Sequence, residues 1–274
     1  MLEIFQYGFI RHAFMAGLII GLICPLIGLF IVLKRLSMIG DALSHVSLAG
    51  IAAGMILGIY PVYGALILML LAGLIIERLR TTYQQYAELA IAVVLSSGMS
   101  LAVILLSAGR SFNTSLFTYL FGSILTVSKH DLFTIGILGV IIVATVIFLR
   151  KELFFVTFEE EAARLAGVPV TLINLILILL TACTIAASIR IVGMLLTSSL
   201  MVIPVATSLQ LKRGFYHTLI LAVLFSLLAV IGGLILAIYL NLAPGGTIVF
   251  FSVLILLFTL LSQVIQVKLL GRPQ

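Results

Sequence analysis

The sequence predicts an all-α fold, a polytopic integral membrane helical bundle of eight or nine spans, and three observations carry that expectation. Hydrophobic residues fill 63% of the 274 positions, charged residues only 9%, and the mean hydropathy is +1.38. Soluble domains carry about 25% charged residues, so the chain falls well outside that class. Apolar runs close to the ~20 residues that cross a bilayer recur along the whole length. Lys and Arg gather in alternate connections between them.

The runs fall at about 13–33, 42–59, 62–77, 87–107, 132–149, 170–189, 192–211, 216–239 and 247–266. The second and third are short and joined closely through Tyr60-Pro61, which leaves eight spans open beside nine. The first run is too long for a cleaved leader and reads as the first anchor of a single transmembrane domain over 1–274. The stretch 112–128, from Phe112 to Ser128, is apolar but interrupted, as expected of an interfacial or re-entrant helix enclosed by protein. The 23 Gly suit a bundle in which backbones approach closely. Glycines 17, 21, 28, 50, 54 and 58 make small-residue faces on the first two helices, for static packing or for sliding.

With nine spans, Lys34, Arg35, Arg78, Arg80, Arg150, Lys151, Arg164, Lys212, Arg213, Lys268 and Arg272 fall on one side. Only Arg11, Arg110, Lys129 and Arg190 fall on the other. The richer side is expected in the cytoplasm, with the N-terminus outside and the C-terminus inside a cell (plasma or inner) membrane. No basic cluster has the density that nucleic-acid binding needs. No Gly-rich phosphate loop occurs, so uphill movement of a solute would draw on an ion gradient or a partner.

The chemistry concentrates at Asp41 and His45, which interrupt strongly apolar sequence. Polar groups there are costly unless used or well paired. A spacing of four puts both on one helix face, and carboxylate oxygen with imidazole nitrogen suits a borderline divalent cation. Ser44 and Ser47 are candidate donors around such a pair. Cys24 and Cys183 lie far apart within apolar runs and read as buried small hydrophobes. His12, His130 and His217 read as interface or loop residues, and Glu88 and Asp131 as acids at helix starts. Pro204 is expected to bend the seventh span and line a path, and Pro25 to bend the first. No His-Glu-x-x-His, Cys pair or Ser-His-acid spacing supports a hydrolytic or redox enzyme.

The longest basic-side connection, 150–169, contains Phe158-Glu159-Glu160-Glu161-Ala162-Ala163-Arg164-Leu165-Ala166-Gly167-Val168-Pro169. Thr157 is expected to cap a short helix whose glutamates favour its N-terminal dipole, with Gly167 and Pro169 stopping it. Phe158, Ala162 and Leu165 make a candidate apolar docking face with charged flanks. A solvated helix joining two spans is the plainer alternative.

These segments together resemble the membrane permeases of zinc/manganese-type ATP-binding-cassette metal importers, most closely the zinc-uptake permeases. The resemblance covers essentially the whole chain. Its sharpest part runs from Val32 through Lys34-Arg35-Leu36-Ser37-Met38-Ile39-Gly40-Asp41-Ala42-Leu43-Ser44-His45 to Gly50. Tyr119-Leu120-Phe121-Gly122-Ser123, the Glu159–Val168 segment, Val192-Gly193-Met194 and Val202-Ile203-Pro204 follow in order. Ala49 departs from the family, where many members carry Pro, which should leave the helix straighter.

The resemblance implies a permease of the vitamin B12/metal importer type with no permanently bound cofactor, carrying zinc, or alternatively manganese or ferrous iron, as substrate. It implies a cytoplasmic ATPase subunit that uses the ATP, an extracytoplasmic metal-binding delivery protein and a second copy of the chain. Asp41 and His45 would then be metal ligands in the path. Phe158, Glu159, Glu160, Glu161, Ala162, Arg164, Leu165 and Gly167 would meet the ATPase. An ion-coupled secondary carrier is the competing class, but would carry more intramembrane acids than Asp41. A membrane metalloenzyme would need three convergent ligands.

Overall fold

The computed structural model describes residues 8–83, 87–108 and 113–270. Arg110, Phe112 and Arg272 lie outside the described residues. Helices are the only regular secondary structure among the described residues: α1 (Gly8–Leu33), α2 (Met38–Leu57), α3 (Pro61–Thr82), α4 (Ala87–Ala108), α5 (Asn113–Phe121), α6 (Lys129–Phe148), α7 (Arg150–Phe158), α8 (Glu160–Leu165), α9 (Val170–Ser188), α10 (Met194–Gln210), α11 (Phe215–Leu240) and α12 (Pro244–Leu270). An extended chain with this little polar side-chain chemistry must satisfy its backbone internally, and helices do so within one segment.

Eight of these helices are long and apolar enough to cross a membrane: α1, α2, α3, α4, α6, α9, α11 and α12. The expected seventh span is α10, which is shorter at 17 residues. Its rise of about 26 Å is less than a hydrocarbon core of about 30 Å. The shortfall has a visible cause, because α5 and the turn after it pack onto its N-terminus. The chain between Ile189 and Gly193 meets that turn backbone to backbone: the Ser123 amide donates to the Arg190 carbonyl at 3.0 Å. A Cβ on Gly122 would lie 1.9 Å from the Ile191 carbonyl oxygen. The interrupted stretch is thus a short helix and a return, enclosed by α10 and α12.

Burial separates centre from periphery. Two-thirds of the apolar window is buried in α1, α2 and α9, but only 28% in α4 and 17% in α12. The outward faces of α4 and α12 are Leu, Val, Ile and Phe, the composition a lipid boundary selects. The core runs through Ile20, Ile23, Ile27, Leu43, Ile51, Met69, Ile142 and Leu177, all fully buried.

Close helix crossings follow the glycines. Gly50 and Gly64 meet between α2 and α3, where a Cβ on either would come within 2.5 Å of the opposite backbone. Gly28 of α1 rests on the Met201 carbonyl of α10, one turn before Pro204. Gly17 faces side chains of α11, Gly21 side chains and the Leu227 Cα of α11, and Gly54 faces Pro61. Gly58 is not part of a packing face; it ends α2 in the left-handed conformation. Across Ala49, α2 is one uninterrupted helix.

Candidate functional site

Asp41 owes its position to a tight elbow. The Leu36 amide bonds back to Ile31 and the Arg35 amide to Val32, with Arg35 at φ 59°. These are the two bonds of a Schellman closure, and it reverses the chain at the end of α1 within three residues. The next helix starts at Met38, so Asp41 falls in the first turn of α2, where exposed amides favour a negative charge.

One turn on, His45 shares the Asp41 side of α2. The other sides of α2 are taken: Gly40 faces Ser198 of α10, Val46 faces Gly98 of α4 and Gly50 faces α3. Asp41, His45 and Leu48 are half-buried, and Leu48 packs against the core. The Ser44 hydroxyl and His45 Nδ1 are buried without a hydrogen-bond partner among the described residues. Ser47 is fully buried; its hydroxyl donates to the Ser44 carbonyl at 2.6 Å and lies 3.4 Å from Met194 Sδ. No group of three or more His, Cys, Asp or Glu converges among the described residues. One chain thus presents Asp41 and His45 as a half-buried polar pair one turn apart on α2.

The basic-side connection folds as two short helices. Thr157 does not cap the second, because α7 continues through it and its hydroxyl donates to the Leu153 carbonyl at 2.6 Å. Glu159 occupies the cap position without a capping side-chain bond. The stop was read correctly: the Val168 amide bonds to Ala163 and that of Gly167 to Arg164, with Gly167 at φ +83°. Ala162 and Leu165 are exposed, Leu165 at 91%. Phe158 belongs to α7 rather than α8, and its ring packs 4.7 Å from Phe154 and 6.0 Å from Phe215. Phe158 nevertheless remains exposed, at 49%, alongside Ala162 and Leu165. Glu159, Glu161 and Arg164 are solvent-facing.

Beneath α8, Lys34 closes a network that its place in a basic loop does not advertise. Its Nζ donates to the Val156 carbonyl at 3.1 Å, to Glu160 Oε2 at 2.9 Å and to Asn174 Oδ1 at 2.7 Å. Burial pulls the Lys34 ammonium below its ordinary pKa even with Glu160 beside it. Burial works against the Glu160 charge too, but the hydrogen bond and charge of Lys34 hold that carboxyl below its ordinary value. Arg164 adds a looser contact with Glu160 at 3.7 Å. Close by, Glu77, buried near the end of α3, pairs with Arg80 at 3.1 Å.

The opposite end is tied around Asp131. Ser128 and Asp131 form a reciprocal capping box at the start of α6. Tyr60, between α2 and α3, donates its hydroxyl to Asp131. Arg190 Nε lies 3.0 Å from the same carboxylate, an ion pair whose angle falls outside hydrogen-bond geometry. Its NH2 group donates to the Tyr60 hydroxyl at 3.1 Å, and its guanidinium lies over the Tyr119 ring at 4.7 Å. The Ser128-x-x-Asp131 spacing was the available sequence signal; the partners are 60 or so residues away on either side.

The remaining candidates stay peripheral. His130 is exposed, its Nε2 3.0 Å from the Tyr63 hydroxyl. His217 and Glu88 are exposed and His12 is half-buried. Pro204 is buried within α10, and the Thr207 hydroxyl donates to the Ile203 carbonyl. Cys24 is fully buried beside Ser188 at 3.4 Å, and Cys183 is partly buried.

Comparison with known proteins supplies the wider context. The sequence model of the ABC 3 transport family matches residues 6–263. A "Probable metal transport system membrane protein" of Treponema pallidum (strain Nichols) is 44% identical over 260 residues, 94% of this chain and 97% of that one. The "High-affinity zinc uptake system membrane protein ZnuB" of Haemophilus influenzae is 32% identical over 251 residues, covering 92% and 96%. The "Manganese import system permease protein ScaB" of Streptococcus parasanguinis is also 32% identical, over 255 residues, covering 93% and 90%. Among solved structures, PsaBC from Streptococcus pneumoniae in complex with Fab superposes with a TM-score of 0.82 at 29% identity, covering 93% and 91%.

Proposed function

The chain belongs to the ABC 3 transport family, and from that premise we propose that it is the membrane-spanning permease subunit of an ATP-driven divalent-metal importer, with zinc as first substrate and manganese as the alternative. The observation that carries the reading is the half-buried polar pair of α2, Asp41 and His45 one turn apart in a membrane-spanning helix. Such a pair offers charge compensation and one nitrogen ligand. That suits zinc or manganese better than magnesium or calcium, which favour all-oxygen sites. Two ligands with water hold an ion less firmly than the three or four of a resident zinc site, as transit requires.

The Asp41–His45 pair is half-buried within one chain. A second copy facing it would supply another Asp41 and His45 and complete a path, which supports a two-fold permease. Ser44 would steady the pair or its bound water, and Pro204 would shape the wall opposite. The basic end, with α8, faces the cytoplasm, placing the N-terminus outside. There Ala162 and Leu165, with Glu159, Glu160, Glu161 and Arg164 around them and Gly167 fixing the exit, meet the ATPase. An extracytoplasmic delivery protein feeds the ion from the Asp131 end.

The test is zinc uptake, with manganese as competitor, by the chain reconstituted with its ATPase and delivery protein. Asp41→Asn and His45→Ala are compared with the intact chain at matched abundance. ATP-dependent zinc entry that collapses in both variants is expected. Normal entry in both would retire the station. Strong manganese competition would move the substrate assignment.

A further inference from the structure

We propose that Lys34 is a positioning residue that carries movement of α8 to the Asp41 end of α2, through one ammonium shared by three successive elements. The proposal rests on the permease reading given above. It begins from how little α8 touches. Among the described residues, its packing neighbours are α7 and α9 alone; it packs on neither α1 nor α2. A push on the exposed Leu165 therefore has no direct packing route to the helix that carries Asp41 and His45.

Lys34 supplies that route. An ammonium has three N–H donors and no acceptor, and here all three are spent: on the Val156 carbonyl of α7, the Glu160 carboxylate of α8 and the Asn174 amide oxygen of α9. The side chain of Lys34 is only 6% exposed, so water cannot readily substitute for a lost acceptor. Moving α8 while leaving Lys34 behind would break a charge-assisted bond and strand the buried ammonium, although Glu160 itself is 41% exposed. The cheaper motion takes Lys34 along.

What Lys34 pulls on is stiff. It is the last residue before the left-handed Arg35, and both elbow bonds, Leu36 to Ile31 and Arg35 to Val32, span it. Only Arg35, Leu36 and Ser37 separate it from α2, and Asp41 lies in the first turn of that helix. A displacement at Glu160 thus reaches the metal ligands through an ion pair, a closed turn and one helical turn. Packing of α9 on α2, and of α7 and α9 on α1, offers parallel paths, so loss of Lys34 weakens the transmission without abolishing it.

The experiment measures zinc delivered per ATP hydrolysed, using the complete complex in proteoliposomes with zinc-loaded delivery protein. Lys34→Met, Glu160→Gln and the double variant are compared with the intact chain. Lys34→Met is expected to assemble and hydrolyse ATP while the delivered ratio falls about fivefold or more, the usual span of an intersite coupling. The double variant is expected to be no worse than the poorer single one, because both remove the same link. A ratio at the intact level in assembled Lys34→Met overturns the proposal, as does strict additivity. Should Lys34→Met fail to assemble, Asn174→Leu, which spares the ion pair and removes one acceptor, is judged by the same ratio. Failure of the intact complex to carry zinc or manganese would instead sink the transport reading itself.

Discussion

Asp131 and Glu160 show how a single carboxylate can organise one end of a helical bundle. Asp131 is 3% exposed and draws contacts from Tyr60, Ser128 and Arg190. Removing Arg190 would leave that charge buried with its counterion gone, a loss of roughly 3–5 kcal/mol. Arg190→Met is therefore expected to lower the Tm of the detergent-solubilised protein strongly, and Arg190→Met with Asp131→Asn to recover most of it. Equal melting of the two would show the pair to be incidental. Glu160 has the opposite exposure and is more accessible to titration. Its carboxyl is held below the ordinary 4.5 by Lys34 despite burial. Its contribution is thus present above the unfolded value and lost as pH falls through the lower folded one. The gap in Tm between the intact chain and Glu160→Gln should be largest near neutrality and close below pH 4.5. Neither residue's distant partners were legible in the sequence. Asp131 read as an ordinary acid at a helix start, and Lys34 as one more positive charge in a basic loop.

Helix crossings set the next scale, and the glycines there are not equivalent. A Cβ on Gly28 would fall 2.0 Å from the Met201 carbonyl oxygen, whereas one on Gly136 of α6 would meet nothing within 4 Å. Backbone cannot move aside as a flexible side chain can. Gly28→Ala is expected to destabilise by about 1–3 kcal/mol or more. Gly136→Ala should stabilise by up to about 1 kcal/mol through helix propensity. Opposite shifts in Tm are the check; two variants moving together would refute the crossing. Gly167 isolates a purely backbone effect, since it has φ +83° and open space around it. Gly167→Ala should cost about 1–2 kcal/mol locally, read as faster amide exchange over α8 with little change elsewhere. The sequence announced this stop, because a Gly followed closely by a Pro has few helical uses. Thr157 misled for a related reason: a threonine can cap a helix, or bond back within one, and packing of α7 chose the second.

Among the described residues, the charged ties lie at the two ends, while the buried polar groups within the helices are mostly Ser and Thr hydroxyls bonded back to their own backbone. Lys34, Glu160 and Asn174 come together at one end, and Tyr60, Asp131 and Arg190 at the other. The alternation of connections expected from the basic residues is therefore realised in contacts. The exposed Ala162 and Leu165 project from the basic end, and Leu165 holds no core position. Replacing both with Glu should leave the Tm of the isolated chain nearly unchanged while abolishing copurification of the ATPase. Retained copurification would place the ATPase contact elsewhere.

The sequence by itself determined the class, the succession of spans, the closeness of Asp41 to His45 and the end of α8. Each is a short-range property: hydropathy over about 20 residues, a spacing of four on a helix, or the backbone freedom of one glycine. Only the tertiary structure decided that Ser47 meets Met194, that α10 is cut short by the returning chain after α5, and that the Phe158 ring packs near Phe215. It alone joined Lys34 to Glu160 across 126 positions and to Asn174 across 140. Such partners are selected by where whole helices cross. Those crossings depend on many weak packing terms summed over the bundle, which no local pattern of residues records.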